Sequence, residues 1–336
     1  MDIFTDVYNK SRDVLQTKGL DINWQTIEQN LTSLLERDGP NAGEAQVLDD
    51  LRKKLKQAVK LKLLKGDAIA KEIFNASTPG TAGFQDRAAM LKTMNHFYLV
   101  AKKGNQSIWV VDSPKAYGKW SYDLFMGKDK SALITQLKKK QEVFGANNRS
   151  MMSDALQHAR KWSADVEVLL GKKEGKVKET VMRWFHGADS TEEAVQASMT
   201  TLAAGFKKIH ASCNSTQVIF SDRPEKRASG EWDEVYASVN AGDVMPVIYI
   251  YQLFLKTGKK NLFGAVPKMW LCALTVIHEL SHKVANTDDI RYDDDGLKPG
   301  VGFPSNQALK NADSWAYFAA DLVGALSKGT INRTLV

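Results

Sequence analysis

The sequence predicts an α+β protein, mainly α, built as two domains. Three observations carry this. Apolar residues recur at three-to-four spacing over long stretches, which is the pattern of amphipathic helices. Runs of β-branched and aromatic residues are present but short, enough for a small β-sheet. The chain has 336 residues, and one domain per roughly 100–200 residues gives two. A hydrophobic share of 43% and a charged share of 25% are globular values and argue against a disordered chain.

The elements follow in order. Trp24 to Leu35 and Ala45 to Leu64 read as amphipathic helices, the second lined by Lys53, Lys54, Lys56, Lys60, Lys62 and Lys65. Ser77 to Gly83 is a loop. Phe97 to Ala101 and Ile108 to Asp112 flank Lys102 to Gln106, which predicts a β-hairpin. Helical pattern returns at Ser131, passes Lys138 to Lys140, is interrupted at Gly145 to Asn148, and runs again from Ser150 to Leu170. Gly171 to Gly175 is polar, basic and glycine-bracketed, and reads as an exposed link. Lys176 to Phe185 and Thr191 to His210 are further helices. Gln217 to Phe220, Glu234 to Val239 and Val247 to Tyr251 read as short strands. The expected division is an N-terminal helical domain with a β-hairpin, residues 1–150, and a second domain, residues 151–336, with the boundary between 145 and 175.

Several function classes drop out. Lys+Arg of 46 against Asp+Glu of 39 gives a net charge of +7, far from the dense basic footprint of a nucleic-acid binder. No stretch approaches the roughly 20 apolar residues of a membrane span; the longest candidate, Val244 to Leu255, contains Pro246 and Gln252. Two cysteines, Cys213 and Cys272, exclude a disulfide scaffold and a thiolate-rich zinc site. One bridge or two free thiols both stay open. Met1 to Lys10 carries Asp2 and Asp6 and has no apolar h-region, so it holds no secretory signal.

The chemistry concentrates in His278-Glu279-Leu280-Ser281-His282, an HExxH pattern. The apolar run Trp270 to Ile277 leads into it, and Asn286 is a plausible helix stop. Histidines at i and i+4 share one helix face, so both imidazoles can reach one zinc at about 2.0–2.1 Å. Glu279 then flanks the open coordination position. A catalytic zinc needs a third protein ligand. No histidine follows His282 and no glutamate follows Glu279. A downstream ligand must therefore be an aspartate: Asp288, Asp289, Asp293 to Asp295, Asp313 or Asp321. Upstream, His186 and His210 also remain.

With those residues in hand the chain resembles the aspzincin metalloendopeptidases, the family of deuterolysins and peptidyl-Lys metalloendopeptidases, and within it a bacterial toxin-like member. The resemblance rests on His278 to His282, then Thr287-Asp288-Asp289-Ile290-Arg291-Tyr292, then Asn311-Ala312-Asp313 with Tyr317, and it covers roughly residues 150–336. It implies a zincin-like helical peptidase domain with a small β-sheet, one zinc ion, and protein or peptide substrates. It also implies Asp289 as third ligand, Glu279 as the general base that activates the zinc-bound water, and Tyr292 as the phenol that stabilises the oxyanion. Asp313 would line the pocket for the residue after the cut. The lysine-specific relatives carry a further glutamate three positions on, where this chain has Ala316, which argues against a strict lysine preference. Asn286 stands where the family usually has glycine. The spacing from His282 to Asp289 is shorter than in the fungal lysine-specific enzymes. Some bacterial relatives are secreted toxins made as precursors. The resemblance thus implies a secreted, extracellular zymogen whose N-terminal half is an intramolecular inhibitor; the alternative is a delivered effector in which that half is a permanent docking or secretion module.

Overall fold

Three-to-four apolar spacing becomes helix in the C-terminal half of the chain. The computed structural model describes residues 109–111, 115–119, 143–172, 175–215, 218–227, 229–240, 246–256 and 266–336. The two helices expected before residue 65, the loop at Ser77 to Gly83, the strand at Phe97 to Ala101 and the helix from Ser131 lie outside the described residues. In chain order the elements are β1 (Trp109–Val111), α1 (Ala146–Lys172), α2 (Gly175–Phe185), α3 (Glu192–Asn214), β2 (Ile219–Ser221), α4 (Glu231–Glu234), β3 (Ala237–Val239), β4 (Val247–Ile250), α5 (Gln252–Leu255), α6 (Lys268–Ala285), α7 (Ser305–Ala308), α8 (Ala312–Leu322) and α9 (Lys328–Thr334). Short 3₁₀ turns occupy Pro224–Lys226 and Asp293–Asp295. The expected strand from Glu234 begins later: Glu231–Glu234 winds as one helical turn and only Ala237–Val239 is extended.

The chain falls into two compact units. One holds Gln217–Asp233 and Gly242–Ile250 with what is described of Met1–Arg149; the other holds Ser150–Thr216, Glu234–Ala241 and Tyr251–Val336. In the first, β2 runs parallel to β1 on one side and to β4 on the other. The register sets Val110 beside Phe220 and Phe220 beside Ile248. Every residue of β2 and β4 is buried, as expected where both faces of a parallel sheet are covered. The expected hairpin partner of β1 is outside the described residues.

The second unit is helical and carries the HExxH segment. The apolar face of α6, with Ala273, Val276, Ile277 and Leu280, is fully buried, and α6 packs on α3 and α8 while α2 packs on α3 and α8. The sequence of α8 explains its central place: every residue from Ala312 to Leu322 except Asp313 is buried. Aromatic rings lock it to its neighbours. Trp315 stacks on Phe206 of α3 at 5.3 Å, and Phe318 meets Phe185 of α2 edge-on at 5.2 Å. Tyr317 stacks on Trp184 at 5.9 Å. Asp321 accepts from Trp184 Nε1 at 2.8 Å and from Arg183 at 2.5 Å, so a buried carboxylate near the end of α8 is satisfied by α2. The close approach of α3 and α8 needs Gly205: a Cβ there would lie 2.3 Å from the Trp315 ring.

Cys213 and Cys272 are both buried free thiols, so the bridge left open by the sequence does not form. Burial pushes each thiol up to about 12, which marks them as packing groups rather than nucleophiles. Among the described residues no helix is long and apolar enough to cross a membrane.

Candidate metal centre

The catalytic geometry begins with how α6 ends. Asn286 closes the helix in the left-handed region, φ 59° and ψ 44°, and its backbone N–H returns to the Ser281 carbonyl. That conformation is open to glycine and, among side-chain-bearing residues, best tolerated by Asn. Asn286, where the resemblance expects glycine, is thus a residue that this backbone tolerates. The cap turns the chain sharply, so that Thr287 lies over the last turn of α6. The Thr287 hydroxyl meets Ser281 Oγ at 2.7 Å, and Ser281 Oγ donates to the His278 carbonyl at 2.7 Å.

After this turn, residues 287–292 run beside the start of α8. The Asp288 N–H donates to the Lys310 carbonyl at 2.7 Å, and the Ala312 N–H donates to the Asp288 carbonyl at 3.0 Å. This brings Asp289 against the two histidines. Asp289 Oδ1 lies 3.0 Å from His278 Nε2 and 3.2 Å from His282 Nε2, and the two Nε2 atoms are 3.1 Å apart. Among the described residues, these three form the one cluster of His, Cys, Asp or Glu suited to a metal. Asp288 pairs through its backbone here, and the carboxylate that meets the two histidines is that of Asp289.

The donor set fits zinc on two counts. Ligands about 2.0–2.1 Å from a tetrahedral zinc stand about 3.3–3.4 Å from one another, close to the three edges observed. The far side of each ring also fixes its tautomer. His282 Nδ1 donates to the Thr287 carbonyl at 2.7 Å, and a carbonyl can only accept. His278 Nδ1 donates to Asp313 Oδ1 at 2.7 Å. With both Nδ1 atoms engaged away from the cluster, both Nε2 atoms converge on one oxygen of Asp289, the side at which a bound cation would be held. Zinc-bound histidines are commonly held this way from behind.

Asp313, the residue expected from the resemblance to line a substrate pocket, thus stands behind His278. Its second oxygen accepts from the Asp293 N–H at 3.0 Å. Asp293 in turn accepts from the buried Tyr317 hydroxyl at 2.8 Å. Glu279 is buried at 4% exposure between the two ligands in sequence. Burial raises its carboxyl above the ordinary range, against the pull of the two imidazoles. Burial also raises Asp289, but hydrogen bonds and charge from His278 and His282 outweigh it and hold that carboxyl below the usual range. Tyr292 is 48% exposed and hydrogen-bonds Asp289. Burial of its phenol and the Asp289 charge push it up to about 12, so it remains a donor.

His186 and His210 do not join the cluster. His186 Nε2 pairs with Ser198 Oγ at 3.0 Å, and His210 pairs with Glu167 at 3.1 Å. The residues the sequence left unassigned are Thr287, Asp293, Asn311 and Tyr317. The signal for three of them was present in the motifs, where Thr287, Asn311 and Tyr317 are quoted, but their work is done by a backbone carbonyl and by hydrogen bonds across about 20 residues or more.

A helix carrying two histidines one turn apart, a third oxygen donor from the next loop and a buried glutamate define a zinc metallopeptidase. Residues 170–320 match the model of the aspzincin family, described as lysine-specific metallo-endopeptidase. No curated protein matches the chain.

Proposed function

We propose that Glu279 is the general base of peptide-bond hydrolysis at this centre and that Tyr292 is the donor to the developing oxyanion. The observation that supports the reading best is a buried Glu279 on the same helix as the two histidine ligands, one residue from the first. Bound zinc supplies a Lewis acid that lowers the pKa of a water toward about 7 and polarises a carbonyl. Glu279 accepts the proton of the attacking water and delivers it to the leaving amine. The Tyr292 phenol keeps its proton and donates to the carbonyl oxygen as it gains charge. Asp313 and the Thr287 carbonyl hold the two imidazoles in the tautomer that leaves Nε2 free. The test is casein cleavage by purified protein, lost with a chelator and restored by zinc. Glu279→Gln is expected to retain one zinc per chain and to lose about 10²–10⁴-fold in turnover. Near-wild-type turnover in that variant would refute the base assignment.

The same proposal extends to how the chain is used. The zinc motif lies wholly in the second half, and the layout resembles secreted bacterial toxins made as precursors. Residues 1–150 then act as an intramolecular inhibitor removed by a cut between about 138 and 175. Lys138 to Lys140 lie outside the described residues; of the described basic spots in that range, Arg160 and Lys161 lie within α1, whereas the exposed Lys172 ends it, which makes Lys172 the more open of these to a cut. Mass spectrometry after incubation decides: wild type should yield a fragment of roughly half its mass, and Glu279→Gln should stay at 37.4 kDa. A full-length, fully active wild type would replace the inhibitor with a permanent docking module.

A further inference from the structure

We propose that Asn311 is the positioning residue that sets the third zinc ligand. The inference rests on the reading of His278, His282 and Asp289 as the ligands. Two of those come from a helix and need no help to share a face. Asp289 comes from an irregular loop and is 45% exposed on its side chain, so something else must fix its place.

Asn311 is fully buried. Its Oδ1 accepts from two consecutive backbone N–H groups, Ile290 at 3.0 Å and Arg291 at 2.9 Å. These N–H groups belong to the Asp289–Ile290 and Ile290–Arg291 peptides, the two that directly follow Asp289. Its Nδ2 donates to Ser314 Oγ at 3.1 Å, which fixes which end of the amide faces the loop. Its backbone neighbours complete the grip, since Asp288 pairs with Lys310 and Ala312. One buried amide therefore holds the peptide plane between Asp289 and Ile290, and the next one, at a fixed distance from α8.

The same end of α8 carries Asp313, which holds His278. The first turn of α8 thus holds a ligand from α6 and a ligand from the loop, and sets the separation between them. Asn fits this task better than its relatives. Gln is longer by one methylene in a site without room, and Ala or Leu offers no acceptor to two buried donors. Asp keeps an oxygen toward the two N–H groups and can accept from the Ser314 hydroxyl.

The experiment measures zinc affinity of the full chain by competition with a chromophoric chelator, with metal-free melting temperature recorded beside it. Wild type binding one zinc is the control; if it binds none, the ligand reading itself fails. Asn311→Ala is expected to lose about 10–100-fold in zinc affinity, the usual cost of removing a partner behind a ligand, and Asn311→Asp should recover most of it. A general loss of stability would lower the melting temperature and leave the affinity of folded protein unchanged. Should Asn311→Ala not fold, amide hydrogen exchange on wild type decides, because the Ile290 and Arg291 amides must be as protected as those of α8. Wild-type zinc affinity in Asn311→Ala, or loop-like exchange of those two amides, would overturn the proposal.

Discussion

Helix α6 and the loop after it supply donors to one centre by opposite means. The two histidines of α6 face the same way because a helix repeats every 3.6 residues, and any sequence that keeps the helix keeps the pair. Asp289 has no such guarantee. Its position depends on the Asn286 cap, on backbone pairing with Lys310 and Ala312, and on a side chain 21 and 20 residues away from the peptide groups it holds. Two-thirds of the ligand set is local and one-third is tertiary. The tertiary third is where the centre is fragile.

Removing the tertiary ligand breaks the comparison most directly. Asp289→Ala should lower zinc affinity by more than the about 10–100-fold typical of losing an outer partner, while Asp288→Ala, which keeps its backbone bonds, should retain one zinc per chain. Metal stoichiometry after dialysis reads both, and the reverse order would refute the ligand assignment.

The next effect separates two tasks for Asp313. Asp313→Asn should cost about 10–100-fold in zinc affinity if its work is to hold His278. A carboxylate acting from a substrate pocket would instead raise KM for cuts before Lys or Arg and leave zinc binding alone. Measuring both on one preparation distinguishes them.

Packing behind the site gives a smaller effect that falls on stability alone. Gly205→Ala places a methyl 2.3 Å from the Trp315 ring. Trp315 is pinned by its stack on Phe206 and by Nε1 donating to the Leu309 carbonyl at 2.8 Å. Overpacking of this kind costs about 1–3 kcal/mol, visible as a lower urea midpoint with zinc stoichiometry unchanged. The smallest effect belongs to the cap. Asn286→Gly should be close to neutral, whereas Asn286→Val should cost about 1–2 kcal/mol because a β-branched side chain is strained at φ 59°. Equal stability of the two would show that the left-handed cap does not constrain the turn.

What the sequence made legible follows the same division. His278, Glu279 and His282 were readable because their meaning lies in spacing alone. The third ligand could be narrowed to aspartates by the absence of later His and Glu, and resemblance then chose Asp289. The long helices were readable from apolar period, although α1 begins before the expected Ser150 and extends past Leu170. Thr287 was not readable as a partner of His282 because it acts through a carbonyl that every residue has. Asn311 was not readable because two neighbouring N–H groups on a distant loop give no pattern in the chain. The contact of Asp313 with His278 was not readable for a related reason: a carboxylate beside such a site can face the substrate or the histidines, and the packing of α8 sets its Oδ1 2.7 Å from His278 Nδ1.

The distance along the chain between His278 and the carboxylate behind it, 35 residues, has a meaning in time. At about 5–20 residues per second, synthesis adds Asp313 about 2–7 s after His278. Through that interval the growing chain carries both histidines and Glu279, yet lacks the turn whose side chains meet His278 and the peptides after Asp289. The contacts that hold His278 and the peptides after Asp289 are complete only once the first turn of α8 has been made.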